Sequence, residues 1–127
     1  MAIKFQVLPR KNPQDFNAPE KFYAAALGDG ETDLDTLAEM IAYQCTVTKP
    51  DCYAVLMALE HNIVSELRQG RIVKLGSIGN FQVGISSLGM EFPQEVSANV
   101  ITSNRIIFRP GKQLRELLKS ITYRKAG

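Results

Sequence analysis

The sequence holds no apolar run approaching the roughly 20 residues that a bilayer-spanning helix requires, so no segment of it reads as transmembrane. The opening stretch MAIKFQVLPRKNP is apolar only briefly and is broken by Lys4 and Gln6, which makes it a poor secretory signal. The expected compartment is the cytoplasm, with no membrane partner. Cysteine is scarce. Cys45 and Cys52 fall in helical patterns among apolar neighbours, as small buried residues do, and a reducing compartment disfavours a disulfide between them. No further Cys or His completes a zinc site around them.

Catalytic residue patterns are equally thin. His61, the only histidine, lies mid-helix with no second histidine to pair with and reads as a surface or boundary residue. Ser77, Ser86, Ser87 and Ser97 lack the strand-turn-helix setting of a nucleophile elbow. The glycine-bracketed run GSIGNF, residues 76–81, joins strand to strand, so it cannot seat a phosphate on a helix as a nucleotide loop does. Glu39 and Glu60 could meet in the fold, but a carboxylate pair without a cleft is weak evidence for catalysis. The expectation is a protein that performs no reaction, needs no cofactor or metal and takes no small-molecule substrate.

What is present is a soluble-type composition, 127 residues with 45% hydrophobic, which suits one domain with a modest core. The net charge of +2 is unevenly spread. Between Glu31 and Glu66 the acids face the single base Lys49, whereas from Arg105 onward the bases face the single acid Glu116. A concentrated basic end attracts phosphates, although a solvated helix face with a basic tail has the same composition.

Ile3, Phe5 and Val7 alternate with polar residues and predict a first strand ended by Pro9; KFYAAAL predicts a second, closed by Gly28-Asp29-Gly30. Between them PRKNPQDFNAP reads as a loop. Leu34, Leu37, Ala38, Ile41, Ala42 and Cys45 then form one helical stripe, with Thr32 or Asp33 to cap it. Cys52, Leu56, Leu59, Ile63 and Leu67 form a second, capped by Thr48, opened by Pro50 and stopped by Gly70. The short link between them predicts an αα-hairpin. RIVKL and NFQVGIS read as two strands of a hairpin turned at Gly76 and Gly79, and NVITSNRIIFRP as a third in which Val100, Ile106 and Phe108 share a face. Leu114, Leu117, Leu118 and Ile121 close the chain at helical spacing.

The junction FRPGKQLRELLK is the most informative stretch. A strand stops at Pro110-Gly111 and a basic helix starts at once, so free backbone N–H groups stand beside Arg109 and Lys112. That is either a phosphate seat or a turn with its charges in water.

Together, LRQGRIVKLGSIGNFQV and IIFRPGKQLRELL resemble the bacterial HU and integration host factor family of DNA-binding proteins, with Ile78 in place of the usual Phe. The resemblance covers about residues 31–122. Residues 1–30 fall outside it, and a longer form with such an extension is similar to histone-like proteins of Bacteroides-type bacteria. It implies an α+β, HU/IHF-like fold: an αα-hairpin base, a three-stranded antiparallel sheet with a β arm, and a C-terminal helix. It also implies an intertwined homodimer with Phe81, Val83, Ile106 and Phe108 in the shared core. Residues 1–30 are expected to pack on the domain as β structure, and 123–127 to form a short basic tail.

The implied function is architectural binding of duplex DNA without sequence preference, through backbone phosphates and the minor groove, in the bacterial nucleoid. Here the arm departs from the family. Ser86 to Asn104 has no Lys or Arg but carries Glu91 and Glu95, and Pro93 stands near the family's wedge proline without the preceding Arg-Asn. Binding is then expected to rest on Lys49, Lys74, Pro93, Arg105, Arg109, Pro110, Gly111 and Lys112, with the tail bases Arg124 and Lys125 beyond them. The competing reading is an HU-fold dimerisation or protein-interaction module that has lost DNA binding through its acidic arm.

Overall fold

Residues 1–127 are all described by the computed structural model. The element order is β1 (Ile3–Arg10), β2 (Lys21–Ala26), α1 (Leu34–Gln44), α2 (Lys49–Arg68), β3 (Val73–Lys74), β4 (Gly79–Ser87), β5 (Ile101–Pro110), α3 (Lys112–Ser120) and β6 (Tyr123–Lys125). Two 3₁₀ turns, Pro93–Glu95 and Ala98–Val100, interrupt the β4–β5 connection. The chain divides into two units, Leu34–Glu116 and Met1–Asp33 with Leu117–Gly127.

In the first unit α1 and α2 pack as the expected helical pair. Thr48 caps α2, its hydroxyl accepting from the Asp51 N–H at 3.4 Å, and Pro50 sits in the first turn, where a missing N–H is of no consequence. At the other end the Gln69 N–H returns to Glu66 and the Gly70 N–H to Leu67. Arg71 reaches Glu66 at 2.6 Å, but the pair is exposed and contributes about 1 kcal/mol at most. The only hydrophobic side chains buried in the whole chain are Ala38 (0% exposed) and Cys52 (4%). Cys45 corrects the expectation of two buried thiols: it falls one residue past the end of α1 and is exposed, and both cysteines are free.

Strands β3, β4 and β5 form an antiparallel sheet in that order. Val73 pairs with Phe81, Phe81 with Phe108, and Val83 with Ile106, which gathers the apolar residues on one face. The rings of Phe81 and Phe108 lie 4.8 Å apart, tilted by 41°. Regular pairing stops at a bulge between Ser86 and Ser87, so the connection is not a continuous β arm. Val100 is accordingly not a strand residue; it ends a 3₁₀ turn whose Asn99 N–H is held by the Ser97 hydroxyl at 3.3 Å.

The second unit is a sheet of order β2-β1-β6, with β1 and β2 antiparallel and β6 parallel to β1. Strand β6 is formed by residues that read as a basic tail: Ile3 N–H donates to Thr122 O and Ala126 N–H to Phe5 O, both at 2.9 Å. Strand β1 also runs through Pro9 instead of ending there. Ile3 and Phe5 direct their backbone groups toward β6 and Lys4 toward β2, so by parity the Pro9 nitrogen faces the β6 side. Strand β6 pairs only as far as Phe5, leaving that nitrogen on an open edge, where proline is tolerated.

Candidate nucleic-acid interface

The two glycine motifs, some thirty positions apart in sequence, meet backbone to backbone. The Gly111 N–H donates to Ile78 O at 2.8 Å, and the Leu75 N–H closes the tight turn onto Gly79 O at 2.8 Å. Gly79 adopts φ +144, and a Cβ there would collide with Arg109 O and come within 3.0 Å of the Gly111 nitrogen. At Gly111 a Cβ would run into Ser77 O. Both positions therefore exclude any side chain, and their contact sets where β5 ends and α3 begins. Gly79→Ala is expected to lose about 3 kcal/mol, or roughly 10 °C in Tm, through φ strain and the backbone clash. Thermal unfolding followed by circular dichroism checks it, and a wild-type midpoint would contradict it.

That lock places a group of cations. Asn80 of β4 pairs with Lys74 on one side and Arg109 on the other, so Lys74, Asn80 and Arg109 form one row across three strands. Arg105 pairs with Gly84 and lies on the same face, opposite the Phe81, Val83, Ile106 and Phe108 face. The absence of a side chain at Gly84 leaves the Arg105 guanidinium room to lie across it, as a Cβ there would sit 3.1 Å from Arg105 Cζ. Ser86 steadies the same guanidinium, accepting at 3.2 Å. Lys112 opens α3, whose first backbone bond runs from the Arg115 N–H to Gly111 O at 3.0 Å, so the preceding N–H groups stand beyond the helical ladder.

Not every expected residue joins this group. Lys49 is paired with Asp35 at 3.3 Å, linking the start of α2 to α1. Pro93 opens the first 3₁₀ turn of the β4–β5 connection, next to the exposed Phe92. Pro110 ends β5 opposite Gly79 and acts through geometry, having no charge to offer. Reading the sequence alone overlooked Gly84, which stands opposite Arg105, four pairs from Arg109, and whose signal was its place inside an alternating strand with no other reason for glycine. It also overlooked a broader pattern: none of the 13 acids lies on any strand, while Lys4, Arg10, Lys21, Lys74, Arg105, Arg109, Arg124 and Lys125 all do.

Over residues 1–125 the chain matches the family model HU-HIG, described as an HU domain fused to wHTH, Ig, or glycine-rich motif. No curated protein matches. Among solved structures it is similar to that of a candidate bacterial DNA-binding protein from Bacteroides vulgatus, with a TM-score of 0.63 and 15% identity. That likeness covers 98% of this chain and 49% of the other, so the chain spans about half the length of that protein.

Proposed function

The chain belongs to the HU-HIG family, and from that membership we propose that it binds duplex DNA as a homodimer, through backbone phosphates and with little sequence preference. The observation that carries this reading is the acid-free face on which Lys74, Arg109 and Arg105 stand together beside the Lys112 helix start. Such a face suits phosphate, and phosphate contacts carry no sequence information of their own, so affinity is expected to be shared among sequences. The role is architectural, in the bacterial nucleoid. No reaction is performed, and the partners are DNA and a second copy of the chain.

The dimer is supported by the chain's surface. A folded monomer of 14.1 kDa exposes roughly 6,700 Å². This chain exposes 10831 Å². The excess of about 4,000 Å² is more than the roughly 1,000–2,500 Å² that each partner of an obligate dimer contributes, so a second copy accounts for part of it. Across Leu34–Glu116 the exposed apolar residues include Val55, Val64, Val83, Ile106 and Phe108, more than a lone protomer of this size ordinarily leaves in water. Pairing on the Phe81 face is the arrangement the family resemblance implies.

A second reading is favoured by the β4–β5 connection, which presents Leu88, Phe92 and Val96 with Glu91 and Glu95 and not one cation. Such a tip suits a protein partner better than a phosphate backbone. The readings separate on a double substitution, Glu91→Lys with Glu95→Lys. If the connection approaches DNA, this variant binds a random-sequence duplex more tightly and with a steeper salt dependence than wild type. Unchanged binding assigns the tip to something other than DNA.

A further inference from the structure

The β2-β1-β6 sheet has two unlike faces. Ile3, Phe5, Val7, Ala24 and Ala26 share one with Tyr123, and most of these line a cavity of about 390 Å³. On the other face Lys4 pairs with Arg124, and Arg10 pairs with Lys21, all four exposed. Like charges placed directly opposite on neighbouring strands repel, and no strand acid relieves them. The Arg10 guanidinium lies 5.8 Å from the Tyr23 ring centroid, which holds it over the sheet. Arg10, Lys21 and Tyr23 also line a cavity of about 590 Å³. Lys11 borders that cavity but is engaged by Glu20 at 4.0 Å.

We infer that this face is a second contact surface for duplex DNA, in which phosphates bridge the Lys4–Arg124 and Arg10–Lys21 pairs. The inference rests on the DNA-binding reading and adds to it a surface outside the HU-like core. The two cation pairs are six residues apart along β1, about 20 Å, which equals roughly six phosphates of rise along one strand. A polyanion with regularly spaced charges meets both pairs at once and turns their mutual repulsion into attraction. A small phosphate engages only one.

The test uses the full chain, a fluorescent random-sequence duplex and a salt series. The triple variant Lys4→Gln, Lys21→Gln, Arg124→Gln keeps the apolar face intact. Each lost phosphate contact flattens the slope of log affinity against log salt by about 0.9, and a dimer loses each twice. A flattening between about 2 and about 5 is therefore expected, with weaker binding to every sequence. Gln6→Lys, which adds a cation on the same face between the two pairs, is expected to tighten binding and steepen the slope by about 2. If both variants match wild type while Arg109→Glu weakens binding, the sheet inference is overturned and the DNA reading stands. If wild type binds no duplex at all, the DNA reading fails and the inference fails with it. Variants that bind duplex normally but lose affinity for vesicles of anionic phospholipid also overturn it, in favour of a membrane surface.

Discussion

Replacing Ile106 with Asp is expected to abolish the folded dimer. In the single chain Ile106 is 60% exposed, and by that measure alone the change would cost within about 0.5 kcal/mol. The proposed dimer predicts the opposite. Ile106 pairs with Val83 on the face that also carries Phe81 and Phe108, so a second protomer on that face buries it. A carboxylate forced into such an interface has no partner and costs several kcal/mol, once in each protomer. The total is of the same order as the whole stability of a domain this size. Light scattering on Ile106→Asp should show loss of the dimeric mass, and circular dichroism should show loss of cooperative unfolding. A variant with the wild-type mass and midpoint would mean that this face does not bind a second copy.

Arg109→Glu is expected to produce the largest loss of DNA affinity without loss of fold. Arg109 stands on the polar face of β5, away from the Phe81 side, so its replacement leaves the apolar contacts unchanged. The change removes one phosphate contact per protomer. It also places a carboxylate on the face that phosphates approach, where it repels them. Affinity should fall on the order of 10- to 100-fold for all duplex sequences alike. The salt slope should flatten by about 2, because the dimer carries the change twice. Anisotropy titrations on two unrelated duplexes check both effects. A loss confined to one duplex would indicate base reading instead of phosphate contact.

Much of the core domain was legible before the structure because its signals are local. Thr48 with Pro50, the apolar stripe of α2 and the turn glycines each act within a few residues and stand where the pattern placed them, while the α1 stripe loses only its last member, Cys45, which lies past the helix end. The shared face of Ile106 and Phe108 likewise anticipated the apolar side of the sheet. Strand β6 was not legible, because Tyr123-Arg124-Lys125 carries no strand pattern of its own and is ordered by pairing with the distant β1. Pro9 was misread for the same reason, since whether a proline ends a strand depends on which neighbour its nitrogen faces. Lys49 looked like a free base in an acidic stretch, yet its partner Asp35 lies fourteen residues away on the adjoining helix. The cation row of Lys74, Arg109 and Arg105 needed the register: one residue's slip would send each side chain to the opposite face.

The central claim is that a dimer of this chain holds duplex DNA by its phosphates. Its most direct test is the affinity of the wild-type protein for a random-sequence duplex, measured from low to moderate salt with the dimeric mass verified in the same buffers. Two or three core cations per protomer predict a linear log–log dependence with a slope of about −4 or steeper, and steeper still if the β2-β1-β6 sheet contributes. A folded dimer that shows no salt-sensitive binding even at low ionic strength would contradict the claim and leave the protein-interaction reading in its place.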